Sequence, residues 1–231
     1  IRGSIPTNYR RGEKIMKLLI NEFIKDYKKK TTWLYFLLSF GIILLNSYFT
    51  KRQFEDGIDA VKILSGLTVV SVTLATVFSL IMLANNLSQE YSKGTIKFLY
   101  IKPKSRSAIL TAKIVLAFIN YVIFLVVGTV FDFLTKYYVF FDRKVGLNHL
   151  NDTIEEGYFG RTVAKQLIIT NLADLAVFIF FVAMVVLVCV VFKTQILSLV
   201  LVMLSLLGTG LIQALTIFAV SKFSWAKYHM F

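Results

Sequence analysis

Apolar positions in this chain gather into long runs rather than into alternating or heptad patterns, at 33–49, 63–87, 108–131, 167–192 and 196–220. Each is long enough, or nearly so, to cross a hydrocarbon core of about 30 Å as a helix. A backbone in lipid must satisfy its own hydrogen bonds, so the runs predict helices rather than open sheet. The expected fold is all-α: a polytopic integral membrane helical bundle with five visible spans (about 33–49, 63–87, 108–131, 167–192 and 196–220).

Ahead of the first run, Met16, Leu19, Ile20, Phe23, Ile24 and Tyr27 recur at helical spacing, with Lys17, Asn21, Glu22, Lys25 and Asp26 between them. This predicts an amphipathic helix. It lies along the membrane surface or packs on a partner, and Lys28, Lys29, Lys30 and Trp33 beside it favour the surface. Residues 1–32 form a leader and interfacial helix, and 33–231 a transmembrane domain. The stretch before Met16 is as compatible with a non-native leader as with native chain.

Composition agrees with this pattern: 57% of residues are hydrophobic, 15% aromatic, and mean hydropathy is +0.70. The net charge of +13 raises nucleic acid as a partner, but the bases cluster at span ends instead of forming one face. Nine of them, from Arg2 to Lys30, precede the first span; Lys93, Lys97, Lys102, Lys104 and Arg106 follow the second. The positive-inside rule puts both segments, and the N-terminus, in the cytoplasm.

Chemistry of the usual catalytic kinds is missing from the sequence. It contains no phosphate-loop motif and no H-E-x-x-H; its two histidines are His149 and His229, and its one cysteine, Cys189, lies in the fourth run. The chain is expected to be noncatalytic and to bind no cofactor itself. Asp174, read as the only acid well inside a span and nearer its outer end, is a functional charge, a group bonded to Asn171 or a neighbouring helix, or one solvated at the interface. Asn120 and Gln213 are interhelical hydrogen-bonding residues or contacts along a substrate path. Ser65, Thr68, Ser71, Ala75, Thr76 and Ser79 form a stripe of small residues, for close helix packing or for a polar path. The loop expected at 132–165 is an external cap, a re-entrant segment or a solvated loop.

One polar interruption, at 88–106, stands out for its order. Gln89 to Lys93 can extend the second helix, Gly94 permits a break, Thr95 can cap a short helix through Leu99, and Pro103 and Ser105 restart the chain into the third span. The spacing of Glu90, Gly94-Thr95-Ile96, Leu99, Pro103, Ser105-Arg106 and Lys113 resembles the signature of type-2 ABC exporter permeases, including small bacterial exporters of peptides and drugs such as phenol-soluble modulin exporters.

That resemblance implies a coupling helix docked on a separate ABC ATP-binding subunit. Gln89, Glu90, Lys93, Thr95, Lys97 and Phe98 would form the docking surface, Gly94 the bend, and Lys193 and Thr194 a smaller second contact. It further implies two permease chains, identical or closely homologous, and two ATPase copies carrying the ATP and Mg. The setting would be a bacterial cell membrane, and the substrate an amphipathic, antimicrobial or toxin peptide or a hydrophobic drug. Members usually have six spans, so the expectation is either a sixth helix beyond the five or a different topology. The alternative is an ATP-independent secondary transporter or channel, for which intramembrane carboxylates and repeated halves would be the signs.

Overall fold

A computed structural model describes residues 7–53, 59–92, 106–141, 145–154 and 161–192, with single positions at 197, 200 and 204. Their regular structure is helical, apart from one isolated bridge between Thr153 and Thr162. The helices are α1 (Thr7–Tyr27), α2 (Lys30–Gln53), α3 (Ala60–Ser65), α4 (Val69–Ser92), α5 (Arg106–Val139) and α6 (Val163–Phe192), with a 3₁₀ turn at Leu147–Asn151 before α6. Among the described residues, four helical stretches are long and apolar enough to cross a membrane: Lys30–Gln53, Ala60–Gln89, Ile109–Val139 and Val163–Val191. The chain is therefore an all-α, multi-pass membrane protein. The fifth expected span, 196–220, lies outside the described residues apart from the three single positions.

α4 is the centre of the bundle. It packs most extensively on α5, and also against α6 and α2, while α1 lies against α5. The small-residue stripe makes the α4–α5 approach possible: Thr68, Ser71, Ala75, Thr76 and Ser79 are all buried, and a Cβ on Gly128 would stand 3.3 Å from the Ser71 Cβ. Aromatic rings then fasten the outer helices to this pair. Tyr35 stacks on Phe78 at 5.1 Å, Phe36 on Phe124 at 4.3 Å, and Tyr121 on Phe178 at 4.2 Å. Such pairs add to the dispersion that holds helices together in lipid, where water cannot drive them together. The faces turned outward are apolar, as Leu37, Leu45, Leu172 and Leu187 show, and are fit for hydrocarbon.

Two apolar cores result. The larger joins Leu83, Leu80 and Phe78 of α4 to Tyr121 and Phe124 of α5 and to Phe178 and Val185 of α6. The smaller joins Ile63 and Leu64 of α3 to Phe140, Val145, Ile154 and Val163. We call the end of the bundle holding the smaller core distal, since α1, the last turns of α4 and the start of α5 lie at the other end.

The second span is interrupted between these cores. Helix stops at Ser65, Leu67 closes a turn by donating its N–H to the Leu64 carbonyl at 3.0 Å, and helix resumes at Val69. The third helix runs beyond its expected end at Phe131 to Val139, so Asp132 and Lys136 lie within it and not in a loop. They are tolerated there because they are one turn apart and pair with each other.

Candidate functional site

The polar interruption at 88–106 leaves α4 and re-enters α5, and a buried polar node ties those two helices together at that end. Asn86, on the last turns of α4, is its hub. Its side-chain amide donates to Asp26 Oδ2 at 2.5 Å, and its side-chain oxygen accepts from Lys29 Nζ at 2.9 Å. Lys29 Nζ also donates to Asp26 Oδ1 at 2.9 Å, closing a three-membered ring of contacts. The backbone carbonyl of Asn86 accepts from Lys113 Nζ of α5 at 2.7 Å, and Lys113 lies 3.6 Å from Glu22 Oε2 of α1.

Asp26 and Lys113 are each only 1% exposed. Buried charges at this depth persist only when paired and hydrogen-bonded, and here each carboxylate faces a lysine. The turn from α1 into α2 is fixed by the same cluster: the Thr32 hydroxyl donates to the Asp26 carbonyl at 2.6 Å, and Trp33 Nε1 to the Tyr27 carbonyl at 3.2 Å. Four elements, α1, α2, α4 and α5, thus meet through one set of side chains.

The amphipathic division expected for α1 is corrected by this arrangement. Asp26, placed on the polar side by periodicity, faces inward because Asn86 and Lys29 satisfy it, whereas Met16, Ile20 and Ile24 are exposed. Next to it, burial and the Asp26 charge push the Tyr27 phenol up to about 12. Its hydroxyl is buried without a hydrogen-bond partner.

Of the residues expected to dock a partner, Gln89 is half-buried in the last turns of α4 and Glu90 continues the same helix. Lys93, Gly94, Thr95, Lys97, Phe98, Lys193 and Thr194 lie outside the described residues, as does Gln213. Asn120 is buried on α5 with its side-chain oxygen unpartnered; the adjoining Tyr121 hydroxyl is likewise unpartnered and is an electrostatic neighbour of Asp174 on α6. Tyr121 also stacks on Phe178 of α6. Asn171 does not bond Asp174: its amide donates to the Leu167 carbonyl at 2.7 Å and reaches the Thr68 hydroxyl at 3.4 Å.

Asp174 is also not the only acid inside a span. Asp132 is 0% exposed on α5, and its Oδ2 accepts from Lys136 Nζ at 3.1 Å. Lys136 Nζ donates as well to the carbonyl of Gly66 at the helix interruption, also at 3.1 Å. The signal for this pair was present as an acid and a base four residues apart at the end of an apolar run.

No curated protein and no solved structure matches the chain. The family profile of the ABC-2 family transporter protein does, over residues 18–210, which takes in α1 from its middle, every described span and the interruption at 88–106. The chain belongs to the ABC-2 transporter family, as the noncatalytic membrane permease subunit of an ABC transporter.

Proposed function

We propose that two such permease chains, identical or closely related, form an export path driven by two ABC ATP-binding subunits that carry the ATP and Mg, with the 88–106 segment as the docking element. The observation that carries this reading is the node around Asn86. It binds the helix entering the segment to the helix leaving it, through the Asn86 carbonyl and Lys113, and binds both to α1 through Asp26 and Glu22. A push on the segment is then passed to both spanning helices at once. The N-terminus and this segment lie on the cytoplasmic side of a bacterial cell membrane, in keeping with the basic residues on both. The cargo is an amphipathic, antimicrobial or toxin peptide or a hydrophobic drug, as in the small exporters that the segment resembles.

Gentle purification from native membrane, with mass spectrometry of whatever accompanies the chain, tests the reading. A soluble protein bearing a phosphate-loop motif is expected in near-equal amount, and Glu90→Ala with Lys97→Ala is expected to abolish its recovery. Gly94→Pro is expected to leave insertion intact while separating ATP hydrolysis from transport. Recovery of the chain alone from several mild detergents would instead favour an ATP-independent carrier.

A further inference from the structure

The distal end of the bundle holds a polar seam between two apolar cores. On its proximal side stand Phe78, Phe124 and Phe178; on its distal side stand Ile63, Leu64, Phe140 and Val163. In the seam itself lie the interruption of the second span at residues 66–68, the Asp132–Lys136 pair, and Asn171 reaching towards Thr68. A helix broken inside a membrane exposes carbonyls that lipid cannot satisfy. Lys136 supplies the Gly66 carbonyl with a donor, and Asp132 neutralises Lys136.

The satisfaction is incomplete. Asp132 Oδ1 and the Ser71 hydroxyl are buried without partners. Unpartnered polar atoms make a closed state dearer and a hydrated open state cheaper, since water would supply the missing bonds. The six-residue α3 runs into α4 through the unwound turn and packs on the 3₁₀ turn and the start of α6, with Phe133 and Val139 of α5 against the same core. It therefore has a pivot at one end, and Lys136 of α5 holds the Gly66 carbonyl of that pivot.

We infer that α3 is a distal flap whose hinge at residues 66–68 is locked by the Lys136 contact to the Gly66 carbonyl, and that the flap opens the seam to water when this lock is released. This inference concerns the distal end and stands apart from how the partner ATPase docks.

Thiol labelling of the full-length chain in membrane vesicles tests it. Leu64, wholly buried on the inner face of α3, is changed to Cys, and its reaction with a small water-soluble maleimide is timed; the native Cys189, buried in the larger core, is followed in the same samples by peptide mass. Asp132→Asn with Lys136→Met removes the lock without leaving a lone buried charge. It is expected to speed labelling at position 64 by about tenfold or more, the scale of a lost charge-assisted hydrogen bond, with Cys189 still protected. Lys136→Arg, which keeps both the charge and a donor, is expected to stay slow. Unchanged labelling in the double variant overturns the lock. So does equal acceleration in Lys136→Arg, and so does joint exposure of Cys189, which would make the contact a support of the whole bundle rather than of the flap.

Discussion

The side-chain amide of Asn86 donates to Asp26 Oδ2 at 2.5 Å, joining the last turns of α4 to the end of α1 across 60 residues of sequence. One partner is charged and the other neutral, and Lys29 touches both. The pair therefore has room for a single negative charge.

Asn86→Asp sets two carboxylates against each other and is expected to cost about 3 kcal/mol or more, as broken buried charge networks do. Asp26→Asn alone leaves Lys29 without its carboxylate and is expected to be destabilising as well. The exchange variant, Asp26→Asn with Asn86→Asp, restores one carboxylate and one amide and should recover most of the loss. Thermal unfolding of the detergent-solubilised chain reads all three.

Lys113 carries the α5 side of the same node, and Lys113→Met removes the donor to the Asn86 carbonyl while leaving Glu22 with only Lys25 of its two lysines. An expected loss of about 2–4 kcal/mol should shrink when Glu22→Gln is added. A double-mutant cycle on unfolding midpoints in detergent measures the coupling, and strictly additive losses would show that the two side chains do not sense each other.

Two glycines in the spans should respond in opposite directions. At Gly128 a Cβ would already meet the Ser71 Cβ at 3.3 Å, so Gly128→Val is expected to force α4 and α5 apart at a cost of about 1–3 kcal/mol. At Gly41 nothing lies within 4 Å, so Gly41→Ala is expected to stabilise α2 by up to about 1 kcal/mol. Unfolding midpoints of the two variants in one detergent decide the matter.

Tyr27 provides a pH test. Its phenol is raised from the usual 10.0 to about 12, so the folded chain disfavours the phenolate. The sign follows: the contribution to stability is complete below pH 10, where both states are neutral, and disappears as pH rises through about 12. Tyr27→Phe should abolish one late step in the ultraviolet titration of tyrosinate. Because the hydroxyl is buried without a partner, the same change should be neutral or slightly stabilising at pH 7.

Long apolar runs made the spans readable, because burial in lipid constrains composition over many consecutive residues. The stripe from Thr68 to Ser79 was readable for a similar reason: small side chains recurring on one helical face need a close neighbour, and α5 provides it through Gly128. The charged groups were harder. Periodicity puts Asp26 on the polar side of its helix and knows nothing of a partner 60 residues away. The apolar run ends at Phe131, which leaves Asp132 in a loop, whereas paired with Lys136 it continues the helix. Lys113 entered only through the spacing of a motif, with no indication that its ammonium would be buried between α1 and α4. The break after Ser65 left little trace, since Gly66 alone in an apolar stretch is compatible with continuous helix.

α5 holds both charged clusters on one uninterrupted rod, with Lys113 near its beginning and Lys136 near its end. At 1.5 Å per residue they stand about 35 Å apart along the axis, and a tilt of about 5° moves one end relative to the other by about 3 Å, the length of a hydrogen bond. The helix thus works as a seesaw beam: a swing small enough to leave the aromatic stacking at its middle in place is large enough to unseat a lysine at either tip.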